Sequence, residues 1–508
     1  MKSKEIGRTK KFIYSSFATA LYQIIIMFSG FLVPRFMLVS YGSELNGLVS
    51  SITQFITYFS LVEAGIAAAA VYSLYQPLAE NNIGKVNGIV SATKKYYYQA
   101  GWMFTALVCG MAIIYPFFKK VEDLSSIMVM ILVVALGART FFDFFTLAKY
   151  RVFLTANQKV YIISMASIVY QVAYTLIVIV LSVLKVNIVL VYIAAIIAIY
   201  LRTFILQIYV KNHYPDIRFD AVPERDALVK RWDALYLQFL GAAQNGVPII
   251  IATIFETLSK VSVFSIYNMI VTGINGVMSI FTSGLSASFG DIIARKEQNT
   301  LEQSYSEFMF AYAVINTFIY SVASLMIVEF VKLYTQDIND ENYIMPMLAF
   351  FIVLNGFFYN MKTPQGMMIG SAGHYKETRV QSTIQAMIII ILGIILAIKY
   401  SLVGIVMASC VSNIYRDIDL AIYIPRNITH TKVFETAKSM GWSVINFFII
   451  LLVGKLISFS ADTVKLWIIK GCLESVLAVL VLFVSSVFFY RKELENTIKL
   501  MCSLFKKN

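Results

Sequence analysis

The sequence predicts an all-α polytopic membrane protein of about 14 transmembrane helices. Three observations predict it. Hydrophobic residues make up 59% of the 508-residue chain and charged residues only 14%, with a mean hydropathy of +0.73. Apolar runs of about 20 residues, the length a helix needs to cross a bilayer, recur from end to end. The alternating ten-residue pattern of an outer-membrane barrel does not occur. A soluble chain would be about one quarter charged, and this one has too few charges to coat a water-facing surface.

The first element follows a basic start, "MKSKEIGRTKKF". A cleaved signal peptide is not expected, because the apolar part is too long and lacks a small-residue cleavage site. Residues 12–34 therefore read as the first span. Further spans follow at 45–76, 98–118, 124–148, 160–184, 187–210, 232–255, 262–290, 306–331, 343–361, 380–398, 402–424, 442–459 and 466–490. With the N-terminus cytoplasmic, about 29 Lys and Arg fall in cytoplasmic segments and about 10 on the outer side, as the positive-inside rule expects. Three more, Arg139, Arg202 and Arg416, lie inside spans. Both termini are then cytoplasmic, and the net charge of +13 is a topology signal. The bases are spread over many short loops, so no nucleic-acid partner is expected.

The longest loop, 211–231, is polar, mixed in charge and carries two prolines. It reads as a cytoplasmic linker dividing the first twelve spans into six plus six. The halves repeat: Val33-Pro34 recurs as Val247-Pro248 at an offset of 214, Ala156 matches Ala372 at 216, and Arg202 matches Arg416 at 214. Two copies of an even-span unit enter the membrane the same way, so they are parallel repeats. The expected organisation is an N-terminal six-helix lobe (1–212), the linker (213–231), a C-terminal six-helix lobe (232–430), and two extra helices with a basic cytoplasmic tail (431–508).

Catalytic chemistry finds little footing. His213, His374 and His430 fall in predicted cytoplasmic loops, spaced unlike metal ligands. The four cysteines are scattered and form no CxxC pair, so neither disulfides nor structural zinc are expected. No Walker lysine loop is present. External loops of only 2–12 residues leave little room for a polysaccharide polymerase or ligase surface. The chain is expected not to be an enzyme and to need no metal or cofactor.

At this point the residues carry a resemblance. The segment "YGSELNGLVSSITQFITYFSLVEAGIAAAAVYSLYQPLAENN" (41–82) resembles the second-span signature of bacterial polysaccharide exporters, the oligosaccharide-lipid flippases. "YRVFLTANQKVYI" (150–162) resembles their turn between spans four and five, and "SIYNMIVTGINGVMSIFTSGLSASFGDIIARKE" (265–297) their span eight. The likeness runs over most of residues 10–430. That family belongs to the multidrug, oligosaccharidyl-lipid and polysaccharide exporter superfamily. The resemblance implies two six-helix lobes in a V shape, membrane lipids and an undecaprenyl-pyrophosphate-linked oligosaccharide as partners, and association with polysaccharide-biosynthesis machinery. It places the chain in a bacterial cytoplasmic membrane.

A pyrophosphate crossing hydrocarbon needs cationic company, and arginine supplies it as a permanently charged, bidentate fork. Charges inside spans are costly and face a cavity or one another. Arg35, Arg139, Arg202 and Arg416 are therefore the head-group candidates. Glu63, Asp143, Asp417 and Asp419 are the candidates for ion coupling or charge pairing. Each has a plainer reading. Arg139 and Asp143, four apart on one helical face, would pair with each other. Arg416 would be neutralised by Asp417 and Asp419. Arg35, after Pro34, would snorkel outward. Tyr72, Tyr75, Tyr96, Tyr97 and Tyr98 would form an interfacial belt. Glu63 has no Lys or Arg in its span, so it must be protonated, hydrated or paired with another helix. The small residues after it, "AGIAAAA", allow close helix approach and point it inward.

The expected function is export of lipid-linked oligosaccharide repeat units by ion-coupled alternating access, with Arg202 and Arg416 facing each other across the path. The alternative is a multidrug extruder of the same superfamily, whose cavity would favour acidic and aromatic residues.

Overall fold

Helix starts follow local capping chemistry. Asn82, Ser125, Asn187 and Thr463 each accept a backbone N–H two or three residues ahead, the bond that satisfies an otherwise orphaned donor of a first turn. The computed structural model describes residues 8–63, 65–224, 231–282, 285–457 and 460–496. The first seven residues of the basic start, the linker residues 225–230 and the basic tail 497–508 lie outside the described residues.

The first compact unit spans Met1–Ser262. It contains α1 (Arg8–Phe59), a tight 3-10 turn at Ser60–Glu63, α2 (Ile66–Ala79), α3 (Ile83–Phe118) and α4 (Ser126–Phe142). A wide π turn (Asp143–Leu147) leads into α5 (Ala148–Ala156), followed by α6 (Val160–Val183), α7 (Ile188–His213) and α8 (Arg231–Phe255). The second unit, Val263–Asn508, holds most of α9 (Leu258–Thr282), then α10 (Leu285–Ala294), α11 (Gln298–Tyr334), α12 (Pro346–Met361), α13 (Thr363–Ala372) and α14 (Arg379–Ile424). After a second π turn at Pro425–Thr429 come α15 (Val433–Gly454) and α16 (Val464–Phe489). No strand occurs among the described residues.

Ten helical stretches among the described residues are long and apolar enough to cross a membrane. Two of them, 14–79 and 379–429, each hold two of the predicted spans. Inside α1 the break is Gly42, at φ 79 and ψ 179, a conformation almost reserved for glycine. Inside α14 it is Ser401, at φ 55. Together with the shorter apolar segments in α8 and α12, the predicted spans are accounted for in order.

By contact, α8 belongs with the first six spans, so the unit boundary falls one helix after the linker. Tyr58 donates to the Ala242 carbonyl at 2.9 Å, Thr253 donates to Ser51 Oγ at 3.0 Å, and Lys119 donates to the Glu256 carbonyl at 2.7 Å. The core of this unit runs through Leu48, Ile52, Val90, Phe104, Leu132, Phe153 and Leu206, all fully or almost fully buried. In the second unit, Phe310, Trp442, Ile450, Ala478 and Leu482 pack α11 against α15 and α16.

Candidate functional site

The second span breaks at its glutamate. The 3-10 turn ends at Glu63, and Gly65 follows at φ 82 before α2 begins. A left-handed residue here lets the chain restart a helix without a side-chain clash. The break leaves the Glu63 carboxylate turned toward α5, where Arg151 donates to it at 3.3 Å. Of the three states open to Glu63 in the sequence, the structure shows the interhelix pair.

Arg151 also reaches Asp143, at 3.1 Å. This contact depends on the π turn, in which Ala148 N–H donates to the Asp143 carbonyl five residues back. Eight residues of straight α-helix would place the two side chains about 80° apart, whereas absorbing one residue in a wider turn brings them within about 20°. Arg202, from α7, lies 3.8 Å from the other Asp143 oxygen. That is an ion pair without a hydrogen bond, and both Asp143 Oδ1 and Arg202 Nε are buried with hydrogen-bonding capacity unused. Tyr97, wholly buried, lies beside Glu63 and Arg151 rather than in an aromatic belt, while Tyr72 and Tyr75 are exposed.

Three sequence expectations need correction. Asp143 is taken by Arg151 and Arg202, because the π turn aims it along α5; Arg139 instead lies over the Tyr170 ring at 4.9 Å, a cation–π contact. Arg416 pairs with Asp419 three residues on, but neither oxygen of the buried Asp417 has a hydrogen-bond partner. The charge acting on Asp417 is Lys362, at the break between α12 and α13. Lys362 donates to Asn413, which donates to Asn355 at 2.8 Å. Finally, Arg202 and Arg416 are each closed in a salt bridge within their own unit, which argues against two uncommitted guanidinium groups. Arg35 is half-buried on α1 beside Pro34.

Sequence reasoning missed Arg151 and Lys362 for one reason. Both sit just beyond a predicted span end, after a break in the fourth helix of each repeat. Lys470 and Glu474 were missed too. Lys470 binds Glu329 at 2.6 Å across α16 and α11, with Glu474 beside them and only 1% exposed. Glu329 is thus anchored to another helix.

The first unit therefore concentrates Arg139, Arg151 and Arg202 around Glu63 and Asp143, three positive side chains against two negative ones. Among the described residues no cluster of His, Cys, Asp and Glu could hold a metal ion.

No protein-family profile matches the chain, and no curated protein matches it. Solved structures do. The lipid II flippase MurJ, in an inward closed conformation, matches with a TM-score of 0.69 at 14% identity, over 94% of this chain and 99% of that one. An inward-facing multidrug resistance MATE family transporter of the MOP superfamily matches with a TM-score of 0.61 at 12% identity, over 76% and 92%. An outward-facing MATE transporter of that superfamily matches at 0.53 and 13% identity, over 88% and 97%. The chain thus shares its fold with these flippase and transporter structures.

Proposed function

We propose that the chain is a flippase that moves undecaprenyl-pyrophosphate-linked oligosaccharide repeat units across the bacterial cytoplasmic membrane for surface polysaccharide synthesis. The observation that carries this reading is the positive excess in the membrane-spanning part of the first unit. Arg139, Arg151 and Arg202 outnumber Glu63 and Asp143, and an anionic head group is the cargo such a balance accepts. The unused capacity at Arg202 Nε and Asp143 Oδ1 leaves room for a ligand to complete the set. A fold shared with a lipid II flippase is consistent with a lipid-linked cargo. Alternating access would proceed by exchange of partners: substrate phosphate competes with Glu63 for Arg151, and the released carboxylate takes up a cation or proton. Both termini are cytoplasmic in this reading.

Multidrug extrusion is the second reading. Asp417, buried with both oxygens unpartnered, is the feature a cationic drug would seek.

The deciding experiment deletes the gene and follows lipid-linked oligosaccharide and drug tolerance together. Accumulation of an undecaprenyl-linked repeat unit on the cytoplasmic face, with unchanged drug sensitivity, is the expected result. Sensitisation to cationic drugs with normal surface polysaccharide would replace the flippase reading with the extruder.

A further inference from the structure

A second basic site lies in the first unit, apart from the charges around Arg151. The loop after α7 folds back on the first turns of α3 and is fastened there. Asn87 donates to the Asp216 carbonyl at 3.1 Å and accepts from Arg218 N–H at 2.9 Å; Glu224 N–H donates to the Gly88 carbonyl at 3.2 Å. Between helix and loop is an open cleft of about 370 Å³, lined in part by Lys94, Lys95, Tyr98, Trp102, Phe219 and Asp220.

The walls are cationic and aromatic. Lys149 reaches the rim from α5, lying 5.5 Å from the Phe219 ring centre and within the positive field of Lys94. Lys94 lies over Tyr98 at 5.6 Å. Tyr98 and Trp102 both pack on Phe145, at 5.1 and 5.5 Å. Three ammonium groups face one lining carboxylate, Asp220. The repulsion between Lys94 and Lys149 raises the free energy of the empty cleft, and an anion relieves it. The cleft also straddles a polarity boundary. Lys94 and Lys95 precede the apolar run of α3, while Trp102 stands 64% exposed inside it. That is the arrangement of a residue at the head-group level of a membrane.

We propose that this cleft binds a lipid-borne phosphate, with the phosphate among Lys94, Lys95 and Lys149 and the acyl or prenyl chain running past Trp102. The inference is independent of what the protein transports, since an anionic phospholipid presents the same chemistry as a polyprenyl phosphate. A freely soluble phosphate would have no use for the exposed indole.

The test is quenching of Trp102 fluorescence in the full chain, taken as the difference from Trp102→Phe, in bilayers of brominated phosphatidylglycerol or brominated phosphatidylcholine. Quenching should reach half-saturation at a lower fraction of the anionic lipid, by about fivefold for each lysine engaged. The triple variant Lys94→Gln, Lys95→Gln, Lys149→Gln should abolish that preference. Lys95→Glu, at an exposed position, should weaken it without any demand on folding. Millimolar inorganic phosphate should leave the preference intact. Equal quenching by the two lipids, or a preference unaltered by Lys95→Glu, overturns the proposal. Removal of the preference by inorganic phosphate overturns the lipid-borne assignment. Added polyprenyl phosphate, which carries no bromine, tells the two lipid sources apart, by whether it displaces brominated phosphatidylglycerol and relieves the quenching.

Discussion

Arg151, which the sequence did not single out, joins two of the first unit's carboxylates. It bridges Glu63 and Asp143, with 28% of its side chain still exposed. Arg151→Met would leave two carboxylates facing each other without their shared cation. The loss should be about 3 kcal/mol, the low end for a broken buried pair because of the residual exposure. Thermal unfolding in detergent measures it, and adding Glu63→Gln, which leaves Asp143 paired with Arg202, should recover most of it. Full stability in the single variant would mean the pair is solvent-screened. Glu63→Gln alone removes the carboxylate while keeping the shape, and should impair export with normal membrane insertion. Unchanged export across pH would return Glu63 to packing. The sequence made Glu63 conspicuous by its isolation. It hid Arg151 because the predicted span ends at residue 148.

At the scale of elements, span order and number could be read from hydropathy alone; the breaks within spans could not. Hydropathy averages over a window and cannot see a backbone that changes direction inside an apolar run. Gly42, Ser401 and the junctions at 143–147 and 361–363 are such places. Gly42→Ala forces a side chain into a glycine-only conformation, and a loss of about 1–3 kcal/mol is expected. Ser401→Gly goes the other way, and relief of the positive φ should raise stability by up to about 1 kcal/mol. Melting temperatures of the two variants, purified side by side, check the opposite signs. Movement in the same direction would disprove the account of these turns.

Across the whole molecule, the two C-terminal helices are joined to their unit by a polar contact as well as by packing. Lys470 ties α16 to Glu329 of α11. A chain truncated after residue 430 would expose Glu329 unpaired to lipid, where a carboxylate is costly. Truncation should therefore lower the yield of monodisperse protein, and Glu329→Gln should restore part of it. If Glu329→Gln has no effect on the truncated chain, packing alone holds the helices. Topology is checked separately: reporters at residue 508 and within 211–224 should both signal cytoplasm. The basic-residue asymmetry is the ground for that expectation. Partner choice among the buried charges was not legible, because it depends on which helices touch, and hydropathy carries no information about neighbours.

The wide turn at 143–147 has a consequence for anyone comparing this chain with others. Every position after Leu147 is displaced by one from where a helical wheel drawn through residues 126–142 would put it. A homologue with a straight helix here needs one residue fewer to aim the same cation at the same acid. Correct alignment of the two should open a single-residue gap inside 144–147, bringing Arg151 opposite a basic residue seven places after the acid. An ungapped alignment would pair Arg151 with the wrong column and report the charge as lost.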